Sequence, residues 1–174
     1  MTTTATQQTC ADMVRQAFHS RIDDIRCMLT PTADDVVIFD DGTLDTVGSI
    51  GEIEFRYAPD SGIRDEETGE IDFDRIVEDH RAQLYEAFCE YGLSIEYVAH
   101  DGERNKGAGY HRYLLSYGGP SEEFRFYCDA SGYCYLVEFW YLDWFDGACI
   151  DVTDDSRVRM LVEQFAETEV FSND

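Results

Sequence analysis

The sequence predicts an α+β fold in which an antiparallel sheet packs with about three helices. Two patterns support this prediction. Three segments repeat apolar residues every three to four positions, and residues 94–144 form apolar runs separated by turn residues, as in an antiparallel meander. The chain has 174 residues, 44% of them hydrophobic, which is enough for one core, so we expect a single domain over 1–174. Residues 1–8 are expected to be a loose tail.

The three helices are predicted over residues 9–29, 73–91 and 153–167. Thr9 is the expected N-cap of the first helix, and Asp72 or Asp74 caps the second. The second helix should end before Gly92, a natural C′ residue, and the third should start at Thr153. The expected buried stripe of the second helix consists of Phe73, Ile76, Val77, His80, Leu84 and Phe88.

The predicted strands are Val36–Phe39, Ile50–Tyr57, Ser94–His100, Tyr110–Tyr117, Glu122–Asp129 and Tyr133–Trp144. The last of them contains EFWYLDWFDGA, which is apolar on both faces and is therefore expected to be a central strand. Helices and a second subunit could cover its two faces, which favours a homodimer; alternatively, one aromatic face is open to a partner. Glu138 should pair with Arg125 or Arg112, and the chain should leave the sheet at Asp143, Asp146 and Gly147.

Acidic residues dominate the composition. The chain has 37 acids and 13 bases, a formal net charge of −24, and residues 34–79 alone carry sixteen acids against three arginines. Such an excess lowers stability by self-repulsion and exceeds what solubility requires. Adaptation to high salt would spread the acids evenly, so their clustering favours a localised acidic surface that includes a polar loop over 60–72.

The sequence offers little support for catalysis. The four histidines and six cysteines have no metal-ligand spacing, no serine lies in a nucleophile motif, and no phosphate-binding glycine loop is present. We therefore expect no cofactor and no metal. The cysteines should be reduced, with a Cys128–Cys134 disulfide as the alternative in an oxidising setting. No membrane-spanning run or signal peptide is apparent, which predicts a cytoplasmic protein.

The segment from Tyr91 to Ala148, with its blocks EYGLSIEYVA, GGPSEEFRFY and WYLDWFDGA, resembles small acidic proteins of plasmids, phages and integrated elements. The resemblance covers about a third of the chain. It implies a mobile-element setting, where anti-restriction and anti-CRISPR proteins are often acidic mimics of DNA. The group is not associated with an established activity, so the resemblance supplies no catalytic residues.

These observations predict a non-catalytic acidic inhibitor that mimics nucleic-acid charge and occupies the basic groove of a host nucleic-acid-binding protein or nucleoprotein. Direct nucleic-acid binding is disfavoured, because the acidic surface repels phosphates. The expected contact residues are Asp65, Glu66, Glu67, Glu70, Asp72, Asp74, Glu78 and Asp79. Two alternatives stay open: a small enzyme or ligand-binding protein with a pocket near Glu138, Trp140, Asp143, Trp144 and Asp146, and a structural protein from a salt-rich cytoplasm.

Overall fold

The computed structural model of the chain describes residues 9–35, 46–50, 53–57, 64–65, 67–100 and 109–171. Within these residues the α-helices are α1 (Cys10–Leu29), α2 (Phe73–Tyr91) and α3 (Ser156–Glu167). The strands are β1 (Thr46–Ile50), β2 (Ile53–Tyr57), β3 (Ser94–Val98), β4 (Tyr110–Ser116), β5 (Ser121–Cys128), β6 (Cys134–Asp143) and β7 (Asp146–Asp151). Helices together with an antiparallel meander confirm the α+β prediction. The predicted strand Val36–Phe39 lies outside the described residues.

The chain divides into two compact units. The sheet unit comprises the described residues of Met1–Asp23 and Gly92–Asp174, and the acidic unit comprises those of Asp24–Tyr91. Most of α1 belongs to the sheet unit, and its last residues belong to the acidic unit. The expectation of a single domain and that of a homodimer both stay predictions.

The sheet unit contains a five-stranded antiparallel sheet in the order β3-β4-β5-β6-β7. The sequence analysis missed β7 and was wrong about where the chain leaves the sheet. After Asp143 the chain makes a two-residue turn and returns at Asp146 to pair with β6 along its other side. The stretch EFWYLDWFDGA is therefore part of a hairpin, and β5 is the middle strand.

One face of the sheet forms an aromatic core with α1 and α3. Phe124 and Phe139 face each other across β5 and β6 with ring centroids 5.0 Å apart, and neither is exposed. Phe18 of α1 packs 5.6 Å from Phe139, and Phe165 of α3 packs 5.7 Å from Phe126. Burial of large aromatic side chains and their tilted or edge-on contacts are strong contributors to core stability.

The termini of α1 and α3 depend on aspartates. The Thr9 hydroxyl and N–H donate to the Asp12 carboxylate at 2.8 and 3.0 Å, so Thr9 stands at the start of α1 as predicted. The prediction that α3 begins at Thr153 is wrong. The helix begins at Ser156, and Asp155 is its N-cap, accepting from the Arg157 N–H at 2.9 Å. An Asp side chain favours the cap because it accepts from an N–H that has no partner within the helix.

Charged and aromatic side chains occupy the other face of the sheet. Arg125 lies between the rings of Trp140 and Tyr110, with its guanidinium carbon 3.8 and 4.9 Å from their centroids. Its ion-pair partner is Glu123, at 2.6 Å, two residues away on the same strand. The pairing of β5 with β6 places Arg125 directly opposite Glu138, as the sequence suggested. The predicted ion pair between them is wrong, however, because Glu138 has other partners.

The Glu138 carboxylate accepts from the Tyr127 hydroxyl at 2.9 Å and from the Trp140 indole N–H at 3.0 Å. These two bonds satisfy a half-buried carboxylate without an arginine. Burial and the bond to Glu138 together raise the pKa of Tyr127 to about 12.

The acidic unit contains α2, the β1–β2 hairpin and the end of α1. The prediction of one continuous strand over Ile50–Tyr57 is wrong: β1 and β2 pair antiparallel, with Ile50 opposite Ile53. On α2, Ile76, Leu84 and Phe88 are buried, whereas Phe73, Val77 and His80 of the predicted stripe are only half-buried.

Gly92 follows α2 but does not have the positive φ expected of a C′ glycine. Instead, a Cβ at this position would collide with the ring of Tyr113. The requirement for glycine here is the close approach of an aromatic ring.

Candidate protein-binding surfaces

The predicted contact residues form an exposed turn followed by the start of α2. We call residues 65–79 the acidic segment. Glu66 lies outside the described residues, and all seven others are exposed. The seven are Asp65, Glu67, Glu70, Asp72, Asp74, Glu78 and Asp79. These seven residues lie along one stretch of the chain, and their side chains have different local roles.

Asp65 and Asp72 shape the backbone of the acidic segment. The Asp65 carboxylate accepts from the N–H groups of Thr68 at 2.7 Å and Glu67 at 3.0 Å, and these bonds lower its pKa, with the bond from Thr68 as the largest cause. Asp72 accepts from the Arg75 N–H at 3.0 Å. Of the two predicted caps of α2, Asp72 is therefore the one observed, and its side chain is committed to the helix terminus.

Two acids of α2 pair with arginines along the helix surface. Arg81 lies 2.9 Å from Glu78, and Arg75 lies 3.9 Å from Asp79. All four side chains are at least 48% exposed, so each pair is a weak surface ion pair. Within the described residues, no ion pair or side-chain hydrogen bond engages the carboxylates of Glu67, Glu70 and Asp74.

A second exposed surface lies at the β6–β7 turn, among residues that the sequence analysis named for the alternative pocket: Asp143, Trp144 and Asp146. Trp144 and Phe145, which we call the aromatic tip, are the two turn residues, and they are 85% and 103% exposed. The Trp144 indole lies against the turn between β4 and β5. A Cβ built on Gly119 of that turn would be only 2.8 Å from the indole nitrogen of Trp144. The signal in the sequence was two aromatic residues between Asp143 and Asp146, a pattern that was assigned to the strand end.

A cavity of about 470 Å³ opens beside the aromatic tip. Its walls combine aromatic rings and carboxylates with the first turn of α1. They are formed by Thr9, Cys10, Met13, Tyr141, Asp143, Trp144, Phe145 and Asp146. The Asp146 carboxylate accepts from the Cys10 N–H at 2.9 Å and from the Gly147 N–H at 2.9 Å, and these bonds lower its pKa, with the bond from Cys10 as the largest cause. Asp146 thus ties the hairpin to the N-terminus of α1.

The residues proposed for an aromatic-sheet pocket do not converge. Glu138 and Trp140 bond each other within β6, whereas Asp143, Trp144 and Asp146 lie at the end of the strand. Five residues of extended strand separate Glu138 from Asp143, or roughly 17 Å at about 3.4 Å per residue. The cavity at the aromatic tip is lined by neither Glu138 nor Trp140.

A second cavity of about 470 Å³ lies between α1 and the β7–α3 connection. Arg157, beside it, donates to Asp155 at 2.6 Å and to Asp23 at 2.7 Å, and both ion pairs raise the pKa of Arg157, with Asp155 as the largest cause. The same network lowers the pKa of Asp155, chiefly through its bond with Arg157. One arginine thus holds two aspartates, and these charge-assisted bonds stabilise the start of α3.

Residues that could hold a metal do not come together in the described part of the chain. No group of three or more His, Cys, Asp or Glu side chains is placed there for coordination. The six cysteines are free thiols, although Cys128 and Cys134 are cross-strand partners in β5 and β6. Within the described residues, no helix is long and apolar enough to cross a membrane.

No protein-family model matches the chain, and comparison with curated proteins and with solved structures likewise gives no match.

Proposed function

We propose that the protein is a non-catalytic acidic inhibitor that binds a basic nucleic-acid-binding protein of a host cytoplasm in competition with nucleic acid. Anti-restriction and anti-CRISPR proteins act in this general way. The contact surface is the acidic segment. Within it, Glu66, Glu67, Glu70, Asp74, Glu78 and Asp79 present charge to the partner. Asp65 and Asp72 hold the backbone that presents them.

The observation that carries this proposal is the unequal distribution of charge between the two units. Residues 24–91 contain 19 acids and 5 bases, net −14, although they are the smaller unit. The remaining residues contain 18 acids and 8 bases, net −10. Because concentrated like charge destabilises a folded protein, its concentration in one unit supports a binding role there.

Helical spacing supports charge mimicry at the start of α2. Asp74 and Glu78 are one turn apart on the helix, about 6 Å along its axis at 1.5 Å per residue. One strand of B-DNA places a phosphate about every 3.4 Å along the axis, so this separation corresponds to about two phosphate steps. A groove lined with Lys and Arg that accepts a phosphate backbone could accept this row of carboxylates.

Electrostatic attraction of this kind gives fast association at low salt that weakens as salt rises. The test immobilises the protein and applies the heparin-binding fraction of a bacterial lysate at about 50 mM salt, followed by elution with duplex DNA or single-stranded RNA at the same salt. We expect basic proteins to be retained and to be displaced by nucleic acid. The more effective competitor distinguishes DNA mimicry from RNA mimicry.

The variant for this test replaces Glu67, Glu70, Asp74 and Glu78 by Lys, which leaves the two backbone-shaping aspartates intact. The matched control also replaces four acids by Lys, at exposed helical positions outside the acidic segment: Glu86, Glu90, Glu163 and Glu167. We expect the first variant to lose retention and the control to keep most of it, with both thermal midpoints at or above that of the native protein. Equal retention by the two variants would refute the acidic segment as the contact surface.

A further inference from the structure

The β6–β7 turn keeps a residue that its backbone disfavours. Trp144 has a φ of 42°, in the left-handed region, and is the first residue of a two-residue hairpin loop. Glycine is the favoured residue at such a position, and a bulky side chain there strains the backbone. The same turn exposes Trp144 and Phe145 almost completely. Strain and exposed aromatic surface at one turn point to a role other than folding.

Charge adds a second unfavourable feature to the turn. Asp143 and Asp146 are directly opposite in the ladder, and like charges at such positions repel. Asp146 has a structural partner, because its carboxylate binds the Cys10 N–H. Asp143 is exposed, and among the described residues no basic side chain forms an ion pair with it. A cation beside Asp143 would relieve the repulsion and would lie next to the Trp144 ring.

We infer that the cavity at the aromatic tip binds a cationic side chain, an arginine or lysine presented by a peptide partner. Tyr141, Trp144 and Phe145 line the cavity together with Asp143, and aromatic rings attract a cation through their negative π faces while a carboxylate supplies the counter-charge. This pairing of rings with a carboxylate distinguishes a cation site from a general apolar docking surface. The cavity, with a volume of about 470 Å³, is large enough to hold one such side chain.

The residues of this site belong to the sheet unit, and those of the acidic segment belong to the acidic unit. The two surfaces would also attract their partners through different forces. The acidic segment acts through summed charge, whereas the aromatic tip recognises one cation through short-range contact with a ring and a carboxylate. The inference therefore does not require the proposed function to hold.

The test titrates ¹⁵N-labelled protein with the peptide Gly-Gly-Arg-Gly-Gly, its lysine counterpart, and a glutamine counterpart as the neutral probe. Amide chemical shifts of residues 141–148 report binding. We expect saturable shifts there with the arginine and lysine peptides and none with glutamine. Trp144→Gly should weaken binding about 3- to 30-fold, the range of a cation–π contact, and Asp143→Asn should weaken it several-fold.

Stability separates recognition from a structural role. Because glycine relieves the strained φ, Trp144→Gly should raise the thermal midpoint by about 2–4 °C while binding falls. Trp144→Asn, whose side chain tolerates the left-handed region, provides a second variant with the same expected loss of binding. Tyr133→Leu removes an exposed aromatic from the β5–β6 turn, and Glu163→Gln removes an exposed acid from α3; both should bind normally.

Three outcomes would overturn the inference. The first is unchanged affinity in both Trp144 variants. The second is peptide-induced shifts confined to residues 67–79, which would assign the binding to the acidic segment alone. The third is co-sedimentation with neutral phosphatidylcholine vesicles that depends on Trp144 and occurs without peptide binding, which would make the tip a lipid contact. The variant with four reversed charges in the acidic segment should keep its shifts at 141–148, so failure of the proposed function would be seen separately.

Discussion

Carboxylates are used differently on strand β5 of the sheet unit and in the acidic segment. In the sheet unit, Glu123 is 2% exposed and pairs with Arg125, and Glu122 is 8% exposed and pairs with Arg21 at 2.5 Å. In the acidic segment, carboxylates such as that of Glu67 are exposed, and within the described residues they have at most weak surface pairs. The same type of side chain therefore holds the fold together in one region and charges the surface in the other.

This difference shows which acids can be changed without harm to the fold. A buried, paired carboxylate leaves an uncompensated arginine when it is removed, so its loss is costly. An exposed carboxylate that is surrounded by other acids contributes mainly electrostatic repulsion, so its loss leaves the stability unchanged or raises it. Stability does not explain the presence of many such residues in a small unit, which is why we propose that they bind a partner. Substitutions in the two regions should differ in sign as well as in size.

The largest effect is expected for Glu123→Ala. The substitution removes the ion-pair partner of Arg125 while its guanidinium stays held between Trp140 and Tyr110. Breaking a buried pair costs about 3–5 kcal/mol, and because the Arg125 side chain is 17% exposed we expect about 3 kcal/mol. Urea unfolding followed by circular dichroism measures the loss.

The control for this prediction is Glu123→Ala combined with Arg125→Met, which removes both charges of the pair. The double variant should recover part of the stability lost in the single variant, because no uncompensated charge remains. A loss below about 1 kcal/mol in the single variant would mean that the pair behaves like the surface pairs of α2, and the contrast between the two regions would fail.

An intermediate effect is expected at Asp155. Asp155→Ala removes the N-cap of α3 and should cost about 1 kcal/mol in the free energy of unfolding, whereas Asp155→Asn retains a good capping side chain. The folded state lowers the pKa of Asp155 through Arg157, so the ion pair contributes stability above about pH 4, and this contribution is lost as the pH falls through the folded pKa.

Thermal midpoints measured from pH 7 to pH 2 check this sign. The native protein should be more stable than Asp155→Asn at pH 7, and the difference should shrink on acidification. A constant difference between the two proteins over that range would contradict the assignment of the pKa shift to Asp155.

Local patterns predicted the helices and most of the strands. The stripe of α3 was readable because Val158, Leu161 and Phe165 recur at helical spacing, and all three are buried. Strand β7 was missed because DGACID begins with Asp146 and Gly147, residues that ordinarily signal a turn. Its pairing depends on β6, which supplies a complete partner strand.

Long-range contacts explain what the sequence could not supply at the candidate sites. The bond from Cys10 to Asp146 joins residues 136 positions apart, and no local pattern predicts it. The predicted pairing of Glu138 with Arg125 or Arg112 was also wrong, because Arg125 has an acid opposite it and another on its own strand, and it pairs with the second, Glu123. Exposure of the acidic segment could be predicted from its composition, whereas the capping role of Asp72 among several nearby acids required the backbone geometry.

The smallest effect is expected for the paired substitution Glu67→Gln and Glu70→Gln. Both side chains are exposed and have no ion pair within the described residues, so their neutralisation removes repulsion and no contact. We expect the free energy of unfolding to rise by a few tenths of a kcal/mol at about 50 mM salt and the gain to disappear near 1 M salt, where charges are screened over about 3 Å. Urea unfolding at the two salt concentrations measures both values.

A matched substitution, Glu163→Gln with Glu167→Gln on α3, should give a smaller gain in the free energy of unfolding, because the surrounding unit has the lower charge density. A protein adapted to a salt-rich cytoplasm would instead fail to fold cooperatively below molar salt, and its neutralised variants would recover folding wherever the substitutions were placed.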